Sequence, residues 1–209
     1  MLERGLGMDP GDPARALLVA AAVCEAVGRS FVVVGGSAVS FHTGSYRPTD
    51  IGFVGPIDEE GRTRLTALGF RASGRHLVID SPQGGVILIE FPAEELFGFA
   101  TEPPERIEVA EGVVVEVIAL DDLMMDRLIQ ATDGTPVALG EAVLLAVAAY
   151  RRIDWGSLER RAASAGVDVT ASAARLLPGV LGRVRGTARR LIREGRSDAR
   201  HDGDDRPGG

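Results

Sequence analysis

The segment VVVGGSAVSFHTGSYRPTDIGFV, residues 32–54, constrains this chain more than any other part of it. Phe31 to Val34 is a short apolar run stopped by Gly35-Gly36, which predicts a buried strand ending in a tight turn. A short helix from Ser37 to about Thr43 is expected next. Pro48 then leads into a second strand, Asp50 to Val54, closed by Gly55-Pro56. Such an arrangement has the physics of a phosphate site. Paired glycines let the main chain approach a ligand closely, and a helix N-terminus turns free N–H groups and a positive dipole end toward it. The hydroxyl of Ser37 would add a donor. Asp50, at the start of the adjoining strand, offers a carboxylate that a divalent metal would bridge to the same phosphates.

The flanking sequence reads as an α/β layout. Asp12 as N-cap and Pro13 at the first helical position open a helix to Gly28, with Leu17, Ala21, Cys24 and Val27 at helical spacing. Ile57 to Leu68 is amphipathic and stops at Gly69. Residues 76–79 and 86–91 read as strands joined by Ser-Pro-Gln-Gly-Gly, and 106–110 and 113–119 flank the hairpin signal Glu111-Gly112. From Asp121 the period turns helical, with helices expected at 121–132, 138–150, 155–165, 170–178 and 180–194. The expected organisation is an α/β core over 1–120, a helical region over 121–195 packed on it, and a polar, disordered tail over 196–209.

Composition narrows the chemistry. At 209 residues, 45% of them hydrophobic and 25% charged, the chain has the balance of a folded domain and excludes a mostly disordered protein. Only 5% of residues are aromatic, so the core must rest on Val, Leu, Ile and Ala. The 23 basic residues are all Arg, which excludes any reaction needing a lysine amine. A formal charge of −7 argues against a protein that coats nucleic acid. The lone Cys24 forms no internal disulfide and anchors no cysteine-based zinc site. No apolar run reaches the ~18 residues of a membrane span, and the opening residues lack the basic-then-apolar layout of an export signal, so a cytoplasmic location is expected.

The Gly-Gly-Ser turn, the short helix and the Thr49-Asp50 start of the next strand together resemble the signature of the nucleotidyltransferase fold, the DNA-polymerase-beta-like superfamily. Similarity is greatest to small bacterial members related to the abortive-infection toxin group. The order LTALGFRASGRHLVID, VILIEFP and VEVIALDDLMMDRL is similar too, and the resemblance covers roughly residues 15–165. It implies a mixed sheet flanked by helices, and metal-dependent transfer of a nucleoside monophosphate from an NTP to a hydroxyl on RNA, protein or a small molecule. Gly35, Gly36 and Ser37 would then hold the triphosphate and Asp50 the Mg²⁺, one ion or two. Glu90 would be the third carboxylate, both metal ligand and base toward the acceptor hydroxyl. Arg127 would be a basic group near the nucleotide; Arg47, just ahead of Asp50, offers a guanidinium fork that matches phosphate oxygens.

The chain departs from that signature at one position. A second aspartate should stand two residues after Asp50, on the same face of the strand; Gly52 stands there instead. Two-metal catalysis relies on paired bridging carboxylates. The alternative implied is therefore a protein that keeps the fold as a binding or regulatory module, with a partner protein or a second copy of itself.

Other residues have plainer readings. His42 is expected to cap or face solvent. His76 begins a strand; with His42 and two carboxylates it could suggest a zinc site, but the spacing matches no zinc ligand pattern. Asp154 reads as an N-cap and Trp155 as core. Arg183, Arg185, Arg189, Arg190, Arg193 and Arg196 could meet RNA phosphates, but a solvated helix face is the expectation.

Overall fold

The computed structural model describes residues 1–9, 12–96, 100–164 and 170–204, with side chains only to 195. In chain order the elements are α1 (Leu2–Leu6), α2 (Pro13–Val27), β1 (Val32–Val34), α3 (Gly35–Thr43), β2 (Ile51–Val54), α4 (Glu59–Ala67), β3 (Arg71–Ser73), β4 (His76–Asp80), β5 (Val86–Ala93), β6 (Glu105–Ala110), β7 (Val113–Val117), α5 (Leu120–Thr132), α6 (Pro136–Ala148), α7 (Trp155–Ser164) and α8 (Ala171–Asp204). The chain divides into two units, Met1–Leu123 and Met124–Gly209. No described helix is long and apolar enough to cross a membrane.

The first unit is built on a seven-stranded mixed sheet of order β3-β4-β5-β2-β1-β7-β6. Strand β1 runs antiparallel to β2 and parallel to β7; β2 is parallel to β5, and β5 is antiparallel to β4. An α/β fold with a mixed sheet flanked by helices is what the chain forms. Because side chains alternate across a strand, the register sorts residues onto two faces. Val33 pairs with Phe53 and Val117, and Ile51 with Ile89, which pairs with Leu77. All of these are buried, so this face carries the core. Phe31 and Phe91 meet edge to face at 5.0 Å between ring centres, and Phe53 stacks on Phe91 at 5.4 Å. The opposite face carries Val34, Gly52 and Glu90, again in pairing register.

Local chemistry sets the helix ends. The carboxylate of Asp12 accepts a hydrogen bond from the Ala14 N–H at 2.9 Å, and Gly28 closes α2 in the left-handed conformation. Asp58, expected inside the next helix, is its N-cap and accepts from Gly61 N–H at 2.8 Å, so α4 begins at Glu59. The turn between β4 and β5 places Gly84 and Gly85 at φ +88° and +77°, values that suit glycine.

In the second unit, Arg127 hydrogen-bonds Asp126 and, at 2.8 Å, Glu141. Arg185 pairs with Glu159 and lies over the Trp155 ring. Asp154 accepts from Ser157 N–H at 2.9 Å. Separate helices over 170–178 and 180–194 are not what forms. A single α8 runs through Pro178, which is exposed. The same helix carries residues 196–204 of the expected tail; 205–209 lie outside the described residues.

Candidate functional site

Asp50 stands immediately before β2, and its place is set from both sides. The Ser37 hydroxyl, on the first turn of α3, donates to the Asp50 main-chain carbonyl at 2.9 Å. The Thr49 hydroxyl donates to the Asp50 carboxylate at 3.2 Å. Two residues along the strand, Gly52 pairs with Val34 on one side and Glu90 on the other. One step beyond the Leu77–Ile89 pair of the β4–β5 ladder, His76 lies against Glu90. Three adjacent strands thus bring Asp50, Glu90 and His76 to one face.

The three side chains form a tight group. Nε2 of His76 is 3.4 Å from Oε2 of Glu90 and 4.0 Å from Oδ2 of Asp50. One potential ligand atom from each residue lies within 4.8 Å of the others. Their side chains are 19–24% exposed, sheltered yet reachable from solvent. Nε of Arg75 is 3.1 Å from Oε2 of Glu90, on a side chain that is 78% exposed. Burial and the nearby Asp50 carboxylate push the Glu90 carboxyl above its usual range; Arg75 and His76 oppose that only in part.

Helix α3 begins two residues earlier than its sequence suggests, at Gly35, whose φ of +65° explains the glycine there. No described side chain caps this helix, so the N–H groups of its first turn are not spent on a capping group. A Cβ at Gly35 would meet open space. Ser37, by contrast, is 2% exposed and its hydroxyl is used on Asp50. At Gly52 a Cβ would approach Cγ2 of Val34 to 3.2 Å, so the β1 side chain crowds the position where the signature's second aspartate would stand.

The other candidates hold different partners. Arg47 is 76% exposed and 3.9 Å from Asp9. Arg127 is committed to Asp126 and Glu141 in the second unit. His42 is buried rather than exposed, and its Nε2 donates to the Ile118 carbonyl at 2.9 Å. Sequence spacing did not single out Arg15. It lines a cavity of about 260 Å³ with Asp12, Ser40, Thr49, Asp50 and Gly85, and its buried Nε has no hydrogen-bond partner among the described residues.

No protein-family model matches the chain, and no curated protein does. Similar solved structures include an antigenic nucleotidyltransferase-like protein from Paracoccidioides brasiliensis, with 11% identity over 62% of this chain and 72% of that one, at a TM-score of 0.47. Another is the antibiotic-resistance factor ANT(2'')-Ia, with 17% identity over 87% of this chain and 97% of that one, at a TM-score of 0.40.

Proposed function

We propose that this chain is a nucleotidyltransferase that moves a nucleoside monophosphate from an NTP to a hydroxyl acceptor in a metal-dependent reaction. The observation that supports it most is the meeting of Asp50 and Glu90 on one sheet face, with Asp50 tied to the first turn of α3. Asp50, Glu90 and His76 fit one divalent cation, because their ligand atoms are close enough for a single ion to touch all three. When bound, such an ion offsets the charge of the triphosphate and of the departing pyrophosphate.

The chain's own groups divide the remaining work. The uncapped first turn of α3, Gly35 and Gly36 foremost, offers main-chain N–H donors to phosphate oxygens. Ser37 positions Asp50 in place of touching the nucleotide. Glu90, beside Asp50, would take the proton of the acceptor hydroxyl. On this reading the acceptor is RNA, a protein or a small molecule, and the chain works in the cytoplasm alongside a partner protein or a second copy.

Gly52 favours a second reading, a nucleotide-binding regulatory module without turnover. With no carboxylate at 52 and Val34 crowding that position, the chain has no second bridging ligand on β2 for a second ion. Pyrophosphate release from ATP or GTP, measured with Mg²⁺ or Mn²⁺ across a panel of hydroxyl acceptors, separates the two. Release that disappears in Asp50→Asn supports the transferase; nucleotide binding without release supports the module.

A further inference from the structure

We propose that His76 is a direct ligand of the cation held by Asp50 and Glu90, and that it makes the site select a first-row transition metal such as Mn²⁺ or Zn²⁺ over Mg²⁺. This rests on the reading of Asp50 and Glu90 as a cation site, and it concerns which ion that site takes.

The sheet register supplies the first support. Position 52, flanking Glu90 on the β2 side, carries no side chain; His76 flanks Glu90 on the β4 side. The third donor therefore comes from β4 instead of β2. Metal–ligand bonds of about 2.0–2.2 Å put neighbouring ligand atoms roughly 3–3.5 Å apart. The His76–Glu90 separation of 3.4 Å already lies in that range, and the His76–Asp50 separation of 4.0 Å needs only a small side-chain adjustment. Each donor sits on or next to a hydrogen-bonded strand, so little backbone ordering is required on binding.

Donor chemistry supplies the second. Mg²⁺ prefers oxygen ligands and sheds its water reluctantly. An imidazole nitrogen shifts preference toward the later divalent metals, and two carboxylates with one imidazole suit Mn²⁺ and Zn²⁺. Arg75 supplies the third. Its Nε lies 3.1 Å from Glu90 Oε2 and 3.4 Å from His76 Nε2, so a guanidinium stands beside two of the three donors. As an N–H donor it meets the Nε2 lone pair, the same lone pair a metal would use. Its side chain is 78% exposed and can swing into solvent when an ion arrives.

The test is metal binding by the full chain, read by calorimetry with Mn²⁺, Zn²⁺ and Mg²⁺ and by pulsed EPR of bound Mn²⁺. Wild type is expected to bind Mn²⁺ more tightly than Mg²⁺ and to show coupling to a histidine nitrogen. In His76→Ala that coupling should vanish and Mn²⁺ affinity fall at least about tenfold, the low end of what even outer-shell partners contribute. Mg²⁺ affinity should change little. His76→Asp should restore binding while moving preference back toward Mg²⁺, and Arg75→Ala should tighten Mn²⁺ binding by removing the competing cation. Cation binding without nitrogen coupling, or the same affinities in His76→Ala as in wild type, would overturn the proposal. His76 would then serve only as an ion-pair partner of Glu90, and the Asp50–Glu90 cation site would stand. Failure of wild type to bind any of the three ions would overturn both readings.

Discussion

The Ser37 hydroxyl hydrogen-bonds the main-chain carbonyl of Asp50 at 2.9 Å, joining the first turn of α3 to the start of β2 at the point where the candidate cation site begins. Ser37 is 2% exposed, so water is a poor substitute for the lost donor. Ser37→Ala should cost about 1–3 kcal/mol of stability by leaving that carbonyl unmet. It should also weaken metal and nucleotide binding through Asp50. Urea unfolding and calorimetry check this; full stability with weakened binding would instead make Ser37 a ligand contact.

Gly35 tests the turn itself. Its φ of +65° disfavours any residue with a Cβ, while the space around that Cβ is open. Gly35→Ala should therefore cost about 1–3 kcal/mol from backbone strain alone. A denaturation midpoint equal to wild type would contradict the left-handed start of α3.

Restoring the missing aspartate is the natural repair, and the structure says what obstructs it. A Cβ at 52 comes within 3.2 Å of Val34 Cγ2 on a stiff β-branched side chain. Gly52→Asp alone should destabilise the fold by about 1–3 kcal/mol through overpacking and added charge. Adding Val34→Ala should recover part of that loss and raise Mg²⁺ affinity above wild type. Thermal melts and Mg²⁺ titration of the single and double variants measure both effects.

Glu90 gives a pH-dependent prediction for protein kept in EDTA. Its carboxyl is held above the ordinary range by burial and by Asp50, so ionising it in the folded state carries a cost. A raised carboxyl contributes stability below its unfolded pKa and loses it as pH rises through the folded value. Glu90→Gln should therefore raise Tm at about pH 8 and leave it nearly unchanged near pH 4. An equal gain at both would mean that packing, not charge, is responsible.

Arg127 was expected near the nucleotide, and its contacts define a different test. Its side chain is 10% exposed and paired with Asp126 and Glu141. Arg127→Ala strands two sheltered carboxylates and should cost about 3–5 kcal/mol. At temperatures where the variant stays folded, nucleotide affinity should match wild type. A selective loss of nucleotide affinity would place Arg127 at the ligand after all.

Much of the sheet was legible because its strands are short apolar runs between glycine-rich turns, as with Phe31–Val34 and Val86–Phe91. The nearness of Asp50 and Glu90 followed from a resemblance, and no local pattern encodes it. His76 was weighed as a ligand beside two carboxylates and set aside on spacing, because its place opposite Glu90 depends on the β4–β5 register, which periodicity does not reveal. Strand β3 escaped because Arg71, Ala72 and Ser73 are all exposed and carry no apolar signal. Pro178 suggested a break that α8 does not make, since a proline on an exposed face removes one hydrogen bond without ending the helix.

Calorimetry of the wild-type chain and Asp50→Ala with ATP and GTP, each with and without divalent metal, decides whether Asp50 holds a nucleotide through a metal. Saturable nucleotide binding that needs the metal and is lost in Asp50→Ala is the expected result. Binding indifferent to both metal and Asp50, or no binding at millimolar nucleotide, would contradict it.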